Sequence, residues 1–204
     1  RLMIADADVL EGGFTNPVLE SQSTFRVLMD AMARPARVMC IEVGIAPPAT
    51  LGIAAGAVAC TLIDADTPYW LDAVFESDAL HRWLAFHTGG RRAATMADAV
   101  FALVGMPCAM PSFDRFAQGS QKYPDRSATL ILQLESLDGG EPVTFEGPGI
   151  KERATIAPRG LPADFAEQWN ANRKRVPRGV DLVLTAGHEL ACLPRSARLV
   201  PAKD

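Results

Sequence analysis

Residues 99–104 read Ala-Val-Phe-Ala-Leu-Val, six apolar side chains in succession. Successive side chains of a strand point to opposite faces of its sheet, so an unbroken apolar run fits a strand covered on both sides. A second segment, 128–137, alternates Leu130, Leu132 and Leu134 with Ile131, Gln133 and Glu135, and is equally strand-like. Around these runs the apolar period becomes helical. Over 16–33, Val18, Phe25, Leu28, Met29 and Met32 recur at helical spacing, with Asn16 as a cap, Pro17 at the first helical position and Pro35 as the stop. Ser77 caps a helix over 78–87 that carries Leu80, Trp83 and Leu84 on one face and closes at Gly89. Two further helices are expected at 49–63, which is rich in Ala, and at 162–175, which contains Phe165 and Trp169. Strands are expected at 37–43, 69–75, 141–145, 152–156, 181–185 and 189–193, and a short helix at 112–117. Helices and strands are interleaved, so the fold class is α/β with a mixed central sheet between helices.

The chain has 204 residues, which predicts one domain, with 1–12 and 196–204 as tails. Twenty Lys and Arg stand against 24 Asp and Glu, a formal charge of −4, which argues against a dedicated nucleic-acid binder. The most apolar stretch, 45–63, is interrupted by Pro47 and Pro48 and is too weak for a membrane span. Residues 1–15 are acidic and lack the apolar core of a signal peptide, so a cytoplasmic location is expected. Cys40, Cys60, Cys108 and Cys192 form no C-x-x-C pair and have no zinc spacing. Each lies among apolar neighbours and reads as a buried free thiol, and no metal site is expected.

The usual catalytic signatures are absent: no phosphate loop, no G-x-G-x-x-G, no G-x-S-x-G and no H-E-x-x-H. His81, His87 and His188 each read as structural or solvated. Three groups merit weighing. Arg26, Arg34 and Arg37, with Asp30 between them, surround the first helix; they are either rim charges favoured by the helix C-terminus or an anion or partner contact. Gly147, Pro148 and Gly149 form a tight turn, and glycine there also permits close approach of the backbone to a ligand. Arg173 and Lys174, followed by Arg175 and Arg178, are either a charged helix end or an electropositive rim. None of these names a reaction, and the catalytic residues are unknown.

The runs GFTNPV at 13–18, STFRVLMDAMARP at 23–35, LIDADTP at 62–68, GPGI at 147–150, PRGVDL at 177–182 and LPR at 193–195 occur in an order that resembles the PhnH proteins of the bacterial carbon–phosphorus lyase system. The resemblance implies a three-layer α/β sandwich similar to the large domain of type I pyridoxal-phosphate-dependent transferases, without the cofactor site. It implies a homodimer that also joins PhnG, PhnI and PhnJ in a core complex. With PhnG, PhnI and PhnL, the family is tied to displacement of adenine from ATP by an alkylphosphonate. Of the four lysines, Lys122, Lys151, Lys174 and Lys203, none has a convincing setting for a Schiff base, and no cofactor is expected. A second reading is a stand-alone enzyme that binds a phosphate, phosphonate or nucleotide at a homodimer interface, using Arg26, Asp30, Arg34 and the 147–149 turn.

Overall fold

The computed structural model describes residues 11–201. Among the described residues, four α-helices, α1 (Pro17–Ala33), α2 (Ile53–Leu62), α3 (Asp78–Thr88) and α4 (Phe165–Arg173), are joined by nine strands. The strands are β1 (Met39–Cys40), β2 (Tyr69–Leu71), β3 (Phe101–Val104), β4 (Thr129–Gln133), β5 (Val143–Glu146), β6 (Ala154–Ile156), β7 (Asp181–Ala186), β8 (Glu189–Leu193) and β9 (Arg198–Val200). Six form one mixed sheet in the order β1-β8-β7-β4-β3-β2, parallel from β2 through β3 and β4 to β7, with β8 antiparallel to β7 and β1 antiparallel to β8. The remaining three make a small antiparallel sheet, β6-β5-β9.

Side-chain alternation divides the core into two. Leu71, Leu103, Ile131, Val183, Leu190 and Cys192 face a cluster built with α1, α2 and α3. Ala102, Val104, Leu130, Leu132, Leu182, Leu184, Ala191 and Leu193 face the opposite cluster, built with Phe113, Phe116, Phe145, Ile156, Phe165 and Trp169. Thus the large sheet is covered on one side by three helices and on the other by α4 and the small sheet. The caps follow the sequence: Asn16 Oδ1 accepts from Leu19 N (3.2 Å), Ser77 Oγ accepts from Leu80 N (3.3 Å), and Gly89 takes the left-handed conformation at φ 68°. The start of α2 has no cap side chain of its own. Gln133 at the end of β4 supplies one, accepting from Gly52 N (2.6 Å) and donating to Thr50 O (3.1 Å).

Several expected elements are shorter. Only Met39 and Cys40 of 37–43 pair as a strand, and 112–117 contains a 3₁₀ turn, Phe113–Arg115, in place of a helix. Residues 196–204 are not simply a tail, because β9 completes the small sheet and Ala197, fully buried, accepts from Trp169 Nε1 (3.1 Å). A three-residue strand is too short to show a period. Most of the expected N-terminal tail lies outside the described residues, but Glu11 O accepts from Trp83 Nε1 (3.2 Å) and Gly12 O from Ala46 N (2.9 Å). The cysteines also divide. Cys192 is buried and Cys60 partly so, and burial pushes both thiols up to about 12, whereas Cys40 and Cys108 are exposed. Apolar sequence neighbours do not distinguish the two kinds, because Cys40 lies in an edge strand and Cys108 in the short 3₁₀ turn Pro107–Ala109. Among the described residues no helix is long and apolar enough to cross a membrane.

One buried carboxylate ties the parallel strands together. Asp72, directly after β2, accepts from Phe75 N (3.2 Å), Gly105 N (2.8 Å) and Met106 N (2.9 Å), joining its own turn to the loop that leaves β3. Removing it strands the Gly105 and Met106 amides, while Phe75 N keeps a second acceptor in Asp72 O (3.1 Å). Asp72→Ala is expected to lower unfolding stability by about 3 kcal/mol, and Asp72→Asn by less, in urea titrations. An Ala variant as stable as the native chain would contradict this role.

Candidate functional site

The end of α1 and the small sheet meet along a cationic cleft. After Ala33 the chain turns through Arg34, Pro35 and Ala36, whose φ of 62° is the only positive value at a non-glycine position among the described residues. Such a conformation costs about 1–2 kcal/mol for an L-residue. It is held in place where Ala36 N donates to Cys192 O of β8 (3.0 Å). Facing it is the turn between β5 and β6, with Gly147 at φ 145° and Gly149 at φ 83°, closed by Ile150 N donating to Gly147 O (3.1 Å). A Cβ on Gly149 would lie 2.0 Å from Ala33 O and 3.0 Å from Pro35 Cδ, so glycine is required for the two turns to interlock.

Between them lies a cavity of about 360 Å³ lined by Arg34, Arg37, Lys151 and Arg153, with no carboxylate in its wall. Arg34 pairs with Asp30 (2.8 Å), and Arg153 pairs with Glu146 (3.0 Å) and donates to Pro201 O (3.1 Å). The side chains of Arg37 and Lys151 have no hydrogen-bond or ion-pair partner among the described residues. The structure therefore brings the first and second groups singled out in the sequence, Arg34 with Asp30 and the 147–149 turn, to one place. Arg26 is not part of it; with Asp30 and Met39 it lines a neighbouring hollow. Lys151 and Arg153 join the cleft through the fold alone. Their only signal in the sequence is that they follow a glycine-rich turn.

The third group lies elsewhere. Lys174 is exposed at the end of α4, Arg173 Nε is buried with no hydrogen-bond partner among the described residues, and Arg175 donates to Gln118 Oε1 (2.8 Å). The cavity beside them, of about 240 Å³, is lined by Asp114, Asp164 and Glu167 as well as Arg175, so acids outnumber cations in its wall. Of the histidines, His81 is held between Glu76 Oε2 (2.8 Å) and the Tyr69 hydroxyl (3.4 Å), with Arg92 on the other oxygen of Glu76. Burial of Tyr69 raises the pKa of its phenol. This carboxylate–imidazole–phenol chain was not legible in the sequence, because Tyr69 and Glu76 come from β2 and the loop that follows it.

Helix α1 buries Thr24, Leu28 and Ala31. Val18 (67%), Leu19 (62%), Phe25 (47%) and Met29 (58%), three of which belong to the set that recurs at helical spacing, are exposed. Phe25 and Met29 form one wall of an apolar groove of about 440 Å³ whose other side is Leu62, Phe101 and Val183.

These features define a mixed-sheet α/β protein with a cationic cleft and an uncovered apolar helix face. The model of the family described as "Bacterial phosphonate metabolism protein (PhnH)" matches residues 12–200. The chain is 48% identical over 197 residues, 97% of its length and 98% of the relative's, to the protein of Rhizobium meliloti (strain 1021) named alpha-D-ribose 1-methylphosphonate 5-triphosphate synthase subunit PhnH. It is 32% identical over 183 residues, 87% of its length and 85% of the relative's, to Stutzerimonas stutzeri HtxG, which carries a provisional C-P lyase subunit name. The chain belongs to the PhnH family.

Because Gly149 combines a left-handed backbone with contact against Ala33, Gly149→Ala is expected to cost about 2 kcal/mol or more in chemical denaturation. Unchanged stability would show that the two turns do not interlock.

Proposed function

We propose that this chain is a subunit of the carbon–phosphorus lyase assembly, required with PhnG, PhnI and PhnL for one transfer. ATP and an alkylphosphonate give adenine and a ribose 1-alkylphosphonate 5-triphosphate: the C1–N bond to adenine breaks and a C1–O bond to the phosphonate forms. The observation that carries this reading is the 48% identity to the Rhizobium meliloti subunit along 97% of the chain. Its cytoplasmic location follows from that role. Purified chain mixed with ATP and methylphosphonate is expected to release no adenine by itself. The four-component mixture is expected to release adenine, and omission of this chain to abolish release. Turnover by the isolated chain would favour the stand-alone enzyme.

We also infer that the chain forms a homodimer and docks with PhnG, PhnI and PhnJ. The exposed Val18, Leu19, Phe25 and Met29 support an assembled state, since apolar side chains on one helix face gain most from being covered. A second copy is the occupant we assign to this face: α1 offers both a ridge at Val18 and Leu19 and a groove beside Phe25 and Met29, as a two-fold contact needs. Phe25→Asp with Met29→Asp is expected to shift the chain from dimer to monomer in sedimentation velocity; an unchanged dimer would place the contact elsewhere.

We also infer, from the family resemblance, a fold similar to that of the pyridoxal-phosphate transferases, without the cofactor. The described lysines do not fit that cofactor: Lys151 shares its cleft with three arginines and no carboxylate, Lys122 lies over the Tyr123 ring, and Lys174 is exposed.

A further inference from the structure

We propose that the cleft between the end of α1 and the β5–β6 turn is a binding site for a multiply charged phosphoryl or phosphonyl oxyanion. Four cations, Arg34, Arg37, Lys151 and Arg153, line one cavity with no acid among them, in a chain whose formal charge is −4. Cations crowded together repel unless an anion lies between them. Here Asp30 and Glu146 offset Arg34 and Arg153 from outside the cavity wall, and Arg37 and Lys151 are left without a counter-charge among the described residues. Guanidinium forks match the tetrahedral oxygens of such a group, and an ammonium adds a point charge.

The backbone gives an independent indication. Ala36, which lines the cavity between Arg34 and Arg37, holds a left-handed conformation that nothing in its side chain favours. Gly149, which lines the opposite side, is pressed against Ala33 O. Two unusual backbone conformations thus fix the bases of the cationic side chains on both walls, the kind of rigid support an anion site requires. A cavity of about 360 Å³ has room for a polyphosphate chain.

The choice of probes rests on the assembly reading above, whose reaction involves a triphosphate and a phosphonate; the site itself rests on the cleft. Calorimetric titration of the native protein at low salt with inorganic tripolyphosphate, and separately with methylphosphonate, identifies which of the two it takes. At least one is expected to bind, more weakly as salt is raised. The paired substitution Arg37→Gln and Lys151→Gln is expected to weaken that binding by about tenfold or more. Arg91→Gln, an exposed cation outside the cleft, is expected to leave it unchanged, and circular dichroism is expected to show all three proteins folded. Absence of binding at millimolar ligand, or binding that survives the paired substitution, would overturn the site. If the site fails while adenine release by the assembly still requires the chain, only this inference falls. If binding holds while release proceeds without the chain, only the assembly reading falls.

Discussion

The architecture depends on one constraint: the central sheet must be covered on both faces. Strands β3, β4 and β7 carry apolar side chains in both directions, with Leu103, Ile131 and Val183 on one face and Ala102, Leu130 and Leu182 on the other. Burying each large side chain of this kind contributes about 1.5–3 kcal/mol, so leaving either face in water would forfeit much of the folding free energy. Three helices cover one face. On the other, α4 alone is too short, and the small sheet β6-β5-β9 completes the layer through Phe145 and Ile156. The cleft follows from this arrangement. Because the small sheet docks on the face opposite α1, its β5–β6 turn reaches around to meet the end of α1, and the Gly149–Ala33 contact fixes how closely they approach.

The local elements were legible where chemistry is local. Asn16, Ser77 and Gly89 act as the caps their identities suggest, and the continuous run at 99–104 contains β3, an interior strand covered on both sides. What was not legible depends on partners distant in sequence. Gln133 caps a helix 81 residues before it, and Arg198–Val200 is a strand only because β5 offers it an edge. Periodicity on α1 was real, but its apolar set spans two sides: Leu28 faces inward, while Phe25 and Met29, one position or more around the helix, face out. An apolar stripe on a helix reports that it will be covered, not by what.

The same holds for the candidate site. Arg34 and the glycine-rich turn at 147–149 were each visible as possible contacts, yet nothing in the sequence says that segments so far apart in the chain share a cavity. Lys151 and Arg153 had no motif of their own, and Arg26, beside Arg34 in every sequence argument, belongs to a different hollow. Asp181 and Arg195 show the opposite outcome. Both lie in runs that carry the family resemblance, and in the fold they act as a brace. Arg195 clasps Asp181 and donates to Pro124 O (2.9 Å) and Pro177 O (3.3 Å), holding the end of the chain against β7.

Both relatives are named as subunits, and on the function proposed for this chain its uncovered apolar face and cationic cleft would contribute surface and charge to a shared reaction. The most direct measurement of that claim is growth on methylphosphonate as the sole phosphorus source by a strain lacking this gene and any second copy of it. The account predicts no growth on methylphosphonate, normal growth on inorganic phosphate, and rescue by the native chain; undiminished growth on methylphosphonate without the chain would contradict it.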